Sequence, residues 1–374
     1  MPKKMKNSKI KVVVGMSGGV DSSLASALLK KEGYDVIGAT FRMWPKEECG
    51  QSVGRACCSL EAVTRARAVS EDLGMPYYVV DFSADFKKHV IDYFCSEYLK
   101  GRTPNPCIIC NEKIKFGKLL EKAVSLGASW VATGHYAKLD VDRMSSRILL
   151  KEGKDKAKEQ SYFLFNLSQE QLKHALFPLG DLTKDKVRSI AKRMKVKTCA
   201  TASSQDICFV QDQNYAEYIK KKTGLEIKKG EIVDKHGKVL GHHKGIPFYT
   251  IGQRRGLGVA YKEPLYVTAI DIESNRVVVG VRADVMKRGL IADKLNWISI
   301  EDIDKPLKVM AKIRYNHKKV KATVTKLGPD SVRVEFEEPQ AAPTPGQAVV
   351  FYDKDVVVGG GWIREALSSG WKNL

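Results

Sequence analysis

The chain has 374 residues, with 63 lysines and arginines against 43 aspartates and glutamates, for a formal net charge of +20. That length suits two or three domains of roughly 100–200 residues rather than one core. A content of 43% hydrophobic and 28% charged residues excludes wholesale disorder. No apolar run reaches the ~18–20 residues of a membrane-spanning helix. The run Ile10–Val14, interrupted by Lys11, is too short for a signal-peptide core. A cytoplasmic protein with no membrane attachment is therefore expected, and its charge favours a polyanionic partner, nucleic acid above all. The eight cysteines sit in a long chain for which no secretory leader is expected, so reduced thiols are expected rather than a disulfide framework.

In chain order, Lys11–Val14 reads as a buried strand, and Leu24, Ala25, Leu28 and Leu29 give the stripe of a helix ending near Gly33. Val36–Phe41 reads as a second strand, Leu60–Leu73 as a helix and Tyr77–Asp81 as a third strand. Helices over Ala84–Leu99 and Lys113–Leu126 precede a fourth strand, Trp130–Thr133. This alternation predicts an α/β doubly wound parallel sheet, with ligands at the carboxyl ends of its strands. From about residue 230 short β stretches take over: 231–233, 266–270, 276–280, 309–315, 331–336, 348–352 and 356–358. They predict a small central β-rich domain and then a C-terminal β-barrel. The expected boundaries are 1–211, 212–285 and 286–374.

Between the first strand and its helix lies Gly15-Met16-Ser17-Gly18-Gly19-Val20-Asp21-Ser22-Ser23. Small residues let backbone N–H groups approach an anion, the helix N-terminus adds its dipole, and Asp21 is suited to hold magnesium against phosphate oxygens. No Walker motif occurs in the chain. Further on, Thr103-Pro104-Asn105-Pro106-Cys107-Ile108-Ile109-Cys110 sets two thiols three apart behind a proline-stiffened segment, without the second half of a zinc site. Cys208 stands alone in Ser204–Val210. In Lys308–Tyr315, Lys308, Lys312 and Arg314 alternate with mostly apolar residues, which on a strand gives one basic face. Lys318, Lys319 and Lys321 extend it into a plausible phosphate-tracking surface. Lys220–Lys222 reads as a solvated helix end, and His242-His243 has no evident partner ligands.

The segment Ser17–Ser22 resembles the signature of the PP-loop ATP pyrophosphatases. Across nearly the whole chain the sequence is similar to the tRNA 2-thiouridylases among them. The resemblance runs through Cys57-Cys58-Ser59, Gly101–Pro106, Cys110-Asn111, Ala132–Tyr136, Gln160–Phe163, Leu176–Leu179, Ile207–Phe209, Thr250–Gly258, Pro345–Gln347 and Gly359–Gly361. It implies ATP-dependent 2-thiolation of the wobble uridine of tRNA, with the C2 oxygen adenylated and then displaced as AMP. It implies ATP with Mg2+ at Gly15, Met16, Ser17, Gly18, Gly19, Val20, Asp21 and Ser22, and the adenosine end at Phe41 and Gly134. Cys110 is then the nucleophile and Cys208 the persulfide carrier, joined transiently as a disulfide. The implied tRNA contacts are Asn105, Pro106, Cys107, His135, Lys158, Glu159, Gln160, Arg314, Tyr315 and Gln347, with 1–211 the implied PP-loop ATP-pyrophosphatase catalytic domain and 212–285 an implied tRNA-binding domain. A sulfur donor, a cysteine desulfurase or sulfur relay protein, is the implied partner.

The chain departs from that pattern at Cys107, where many members carry Asp, at Thr201–Ser203, and in the extra Cys199. Three thiols at Cys107, Cys110 and Cys208 match the ligand set of a [4Fe–4S] cluster with one iron open to an exogenous sulfide. The competing route leaves Cys110 and Cys208 to carry sulfur unaided. Two other readings are a GMP-synthetase-like ligase using ammonia, which leaves both cysteines idle, and a non-catalytic tRNA-binding protein.

Overall fold

A computed structural model describes residues 10–43, 59–196, 207–210 and 214–368. Cys57, Cys58, Cys199 and the stretch 201–206 lie outside the described residues. The chain divides into two compact units: residues through Val90 with Cys107–Phe209 and Asp355–Val357, and Ile91–Pro106 with Val210–Lys354 and Val358 onward.

The first unit is built on β1 (Lys11–Gly15), α1 (Val20–Lys31), β2 (Asp35–Arg42), α2 (Leu60–Asp72) and β3 (Tyr77–Asp81). A helical stretch over 83–99 follows, π-helical at Lys87–Ile91, and its last part, α3 (Asp92–Leu99), belongs to the second unit. A further helical stretch contains the π-helical segment Cys110–Lys118 and runs into α4 (Leu119–Ser125) and β4 (Trp130–Ala132). The hairpin β5 (Ala137–Val141) and β6 (Ile148–Glu152) comes next, then β7 (Ala175–Leu176) and α5 (Lys184–Arg193). The sheet is parallel in the order β3-β2-β1-β4-β7.

β1 is its central strand, which is why Val12, Val13 and Val14 form a continuous apolar run: all three are 0% exposed. Burying each contributes about 1.5–3 kcal/mol relative to exposure. Leu24 and Ala25 of α1 pack with Val12, Val14, Ala132 and Val187 in the core beneath one face. The strand order reverses between β1 and β4, so the loops leaving their carboxyl ends face the crevice where doubly wound sheets bind ligands.

In the second unit α6 (Tyr215–Thr223) precedes a four-stranded sheet of β8 (Gly230–Asp234), β9 (Val239–His243), β10 (Tyr266–Asp271) and β11 (Arg276–Gly280), in the order β10-β11-β8-β9. His243 is buried there: Nδ1 accepts from the Gly245 amide and Nε2 faces the Asn275 carbonyl, each at 3.0 Å. That neutral imidazole is a structural tie.

The remaining strands are β12 (Met286–Trp297), β13 (Leu307–Lys312), β14 (Val320–Gly328), β15 (Ser331–Ala341), β16 (Ala348–Asp353) and β17 (Val356–Leu367). They close into a six-stranded antiparallel barrel through the β12–β17 pairing. The expected strand over 309–315 ends at Lys312, where pairing with β16 stops at Lys312↔Val350. Arg314 and Tyr315 thus lie in a turn closed by His317 N–H on Arg314 O at 3.1 Å, and the basic face does not extend to them.

Candidate functional site: the phosphate loop and its thiols

The loop Gly15–Gly19 leaves β1 and enters α1 through Gly19, whose N-cap position has no side-chain cap. Uncapped N–H groups at a helix start are a ready anion site. Gly18 has φ +69°, and a Cβ there would stand 2.3 Å from the Ala62 carbonyl oxygen. Only glycine lets α2 press against the loop. Arg65 of α2 donates Nε to Gly18 O at 3.2 Å. From below, Tyr77 OH donates to Thr40 Oγ1 (2.8 Å), which donates to Met16 O (2.7 Å). Ser22 Oγ accepts from the Ser17 amide at 3.2 Å, and Ser23 Oγ donates to Gly19 O at 2.9 Å.

Asp21 carries the electrostatics of the loop. Lys184 Nζ, at the start of α5, lies 2.6 Å from each of its carboxylate oxygens, and Tyr136 OH donates to Oδ1 at 2.7 Å. Burial and the Asp21 charge push the Tyr136 phenol well above its ordinary range, so it stays a donor. The carboxylate offered for magnesium is therefore already engaged by one cation and one phenol. Gly134, after β4, would drive a Cβ to 2.8 Å from the Asp21 backbone, so that glycine sits against the start of α1. Phe41 packs on Phe82 at 5.7 Å and lies 3.1 Å from where a Gly15 Cβ would be. Loop, Gly134 and Phe41 thus form one neighbourhood that fits a nucleotide with its phosphates on the α1 terminus.

Cys107 lies in the short helix Pro106–Ile109, and Cys110 opens the π-helical segment. Such wide turns are frequent at functional sites. Here the widening is braced by Gln171, whose Nε2 donates to the carbonyls of Glu112 (2.8 Å) and Phe116 (3.1 Å). Cys107 is exposed, Cys110 buried and Cys208 exposed. Desolvation raises the pKa of the Cys107 thiol, against the pull of the Lys115 charge. Phe209 stands edge-on to Phe86 at 5.8 Å, anchoring the residue after Cys208. Buried Asn111 donates Nδ2 to Phe163 O at 3.0 Å while its Oδ1 has no partner, an acceptor beside Cys110. His135 is buried, with Nδ1 2.7 Å from Thr133 Oγ1; desolvation, then the Lys115 charge, holds its pKa well below 6.5. The imidazole is therefore held neutral.

Three family profiles cover the chain: the tRNA methyl transferase HUP domain over residues 10–212, the tRNA methyl transferase PRC-barrel domain over 216–281, and the aminomethyltransferase beta-barrel domain over 287–363. The chain is 53% identical to the tRNA-specific 2-thiouridylase MnmA 2 of Thermoanaerobacter sp. (strain X514), over 96% of this chain and 98% of that one. It is 51% identical to MnmA of Acetivibrio thermocellus, over 96% of this chain and 100% of that one. With MnmA of Clostridioides difficile the figures are 50%, 96% and 99%. The chain belongs to the MnmA family of tRNA-specific 2-thiouridylases.

The residues that the MnmA pattern offers as tRNA contacts fall in both units. Gln160 accepts the Tyr136 amide at 3.0 Å and returns its own amide to Tyr136 O at 2.9 Å. Buried Glu159 accepts from the Ser161 amide, and the Lys158 amide bonds Asp155 O at 3.2 Å. The two Gln160 bonds prop Tyr136, and through it Asp21. In the second unit Gln347 Nε2 donates to the carbonyls of Thr103 (2.9 Å) and Pro104 (3.2 Å), fixing the approach to Asn105 and Pro106. Arg314 Nη2 donates to Ala342 O and, at 3.0 Å, faces Thr344 Oγ1, while Lys312 Nζ sits 5.3 Å from the Tyr315 ring centre.

Sequence reasoning missed Lys184 and Gln171. Neither belongs to a local pattern, and only the fold brings them to the site. For the cluster, the fit fails in this structure: among the described residues no three His, Cys, Asp or Glu side chains are gathered as metal ligands. Cys107 opens to solvent while Cys110 is buried.

Proposed function

We propose that this MnmA-family protein thiolates C2 of the wobble uridine in tRNA in two half-reactions. ATP supplies the activation: a carbonyl oxygen is a poor leaving group, and its adenylation turns it into AMP with loss of pyrophosphate. The loop Gly15–Ser22 holds the polyphosphate on the α1 terminus, with Phe41 and Gly134 at the nucleoside end and Mg2+ carried on the phosphates. Sulfur arrives at Cys208 as a persulfide from a donor protein. Attack of its terminal sulfur on C2 expels AMP, and the Cys110 thiolate then takes Cys208 Sγ, releasing the thiocarbonyl. Alternatively Cys110 attacks first and frees sulfide, which attacks C2. Either way the two cysteines end as a disulfide that an external thiol must reopen. Asn105, Pro106, Cys107 and His135 receive the base, and Lys158–Gln160, Arg314, Tyr315 and Gln347 guide the tRNA. Cytoplasmic action follows from the substrate.

The observation that carries the reading is a braced anion loop and the three cysteines Cys107, Cys110 and Cys208 within one compact unit of a chain about half identical to named thiouridylases. Mass spectrometry of tRNA nucleosides after incubation with ATP and a persulfide donor is expected to show 2-thiouridine, with pyrophosphate released only when tRNA is present. No ATP dependence, or pyrophosphate without thiolation, would overturn it. Cys208→Ser is expected to block sulfur loading, and Cys110→Ser to load but not thiolate. Iron measured on the same samples separates this route from a cluster, which predicts visible absorbance lost with activity in Cys107→Ala.

A further inference from the structure

The connection from Thr250 to Leu265 is unusually well held for a loop rich in glycine. The Tyr98 hydroxyl of α3 hydrogen-bonds Thr250, and Thr103 Oγ1 lies 3.4 Å from Thr250 Oγ1. Across the neck, the Gly252 amide donates to Val267 O (2.8 Å) and the Val267 amide to Gln253 O (3.0 Å). Gln253 ties the turn internally: Oε1 accepts from the Thr250 amide at 3.1 Å, and Nε2 donates to Arg255 O at 3.0 Å. Leu257 and Leu265 are buried in the core of the central sheet. The backbone at the tip is thus set before any ligand arrives, yet Arg254 and Arg255 are both exposed. Neither forms an ion pair with a described residue.

The loop is also joined to Arg314. Gly252 has φ +87°, and a Cβ there would stand 2.7 Å from the Ala342 methyl and 3.5 Å from Arg314 Nη2. The same Nη2 donates to Ala342 O. Beside the arginines the loop borders an open depression of about 590 Å³, edged by Arg254, Leu257, Tyr261, Lys262 and Glu263. Small-ligand sites span about 300–1,000 Å³. Tyr261 is 46% exposed there. Guanidinium forks match phosphate oxygens, and an exposed aromatic ring offers a platform to an unstacked base.

We propose that Gln253–Lys262 is an RNA site, in which Arg254 and Arg255 hold backbone phosphates and Tyr261 stacks on an unpaired base of the tRNA. The proposal rests on the tRNA-modifying reading above and adds a site to it. Pre-ordering is the physical advantage: a fixed backbone loses little entropy when the phosphate docks.

The test is fluorescence anisotropy with a labelled tRNA transcript bearing the wobble uridine, over about 50–200 mM salt. Arg254→Ala/Arg255→Ala is expected to weaken binding about tenfold and flatten the salt slope by roughly 1–2, at ~0.7–0.9 per phosphate contact. Arg254→Lys/Arg255→Lys keeps most of the slope, and ATP affinity is unchanged in both. Tyr261→Ala weakens tRNA but not a plain RNA duplex, which offers no unstacked base. Wild-type affinity and slope in the alanine pair overturn the site. So does equal damage in the lysine pair, which would mean that loop integrity and not charge was lost. Thiolation by the wild type with these variants unaffected sinks the loop alone; a wild type that binds no tRNA sinks the underlying reading with it.

Discussion

Lys184 reaches Asp21 across 163 positions of sequence, and its side chain is 10% exposed against 30% for the aspartate. Removing one member of a buried ion pair costs ~3–5 kcal/mol, and the partial access of Asp21 to solvent reduces this to about 1–3 kcal/mol. Lys184→Met is expected to lower the urea midpoint accordingly and to cut tRNA-dependent pyrophosphate release at least tenfold. Adding Asp21→Asn should restore stability far more than activity; an unaltered midpoint in the single variant would show that the pair contributes nothing. His135 gives a pH signature. Its folded pKa lies well below 6.5, so as pH falls the unfolded chain binds the proton first. The stability it contributes is complete above about pH 6.5 and is lost below, at up to ~1.4 kcal/mol per pH unit. Denaturation of His135→Gln against wild type at two pH values measures that slope, which the variant should lack. For Cys107 the cation opposing desolvation is Lys115, so Lys115→Ala is expected to move the pH dependence of Cys107 alkylation upward. The phosphate loop was legible at this scale because its residues are consecutive. Lys184 was not: one lysine among 63 lysines and arginines carries no local signal.

The π-helical segment Cys110–Lys118 shows how one side chain can set an element's geometry. Gln171 accepts the Ser168 amide in a capping box and donates its own amide protons to Glu112 O and Phe116 O. Gln171→Glu retains the acceptor and loses both donors. A loss of about 1–3 kcal/mol is expected, together with slower thiolation at unchanged ATP affinity. Equal stability by urea titration would remove Gln171 from the brace. Among elements, four strands of the parallel sheet were readable because they are buried on both faces or bounded by clear turns, whereas β7, two residues long, is too short to show a pattern. β12 escaped because its register shifts between Lys287 and Gly289, Ile291 and Ala292, and Asp293 and Asn296, which erases any two-residue period. β14 does alternate, with Ala322 and Val324 inward, but the neighbouring lysines 318, 319 and 321 read as a basic tail. The same basic run carried the expected strand past Lys312, where the chain turns instead.

Over the whole molecule, a net charge of +20 sets how strongly a polyanion is drawn in. If six to ten phosphates are contacted, tRNA affinity is expected to fall ~10³–10⁵-fold between about 50 and 200 mM salt. A slope near zero would return the charge to a matter of solubility. The fold order was legible because the strand–helix alternation is contiguous and the β-rich half differs in texture. The way the chain is shared between its two compact units was not, since it depends on contacts distant in sequence. That sharing limits how the protein can be cut. Residues 91–106 belong to the second unit and Asp355–Val357 to the first, so each unit is assembled from separate stretches of chain. A fragment ending near 211 would carry a stranded α3 and the prolines before Cys107, while lacking its own three residues from near the far end. The sequence has joints that look like modules, but splitting it there should yield two insoluble halves, and exchanging the β-rich half between relatives should require transplanting 91–106 along with it.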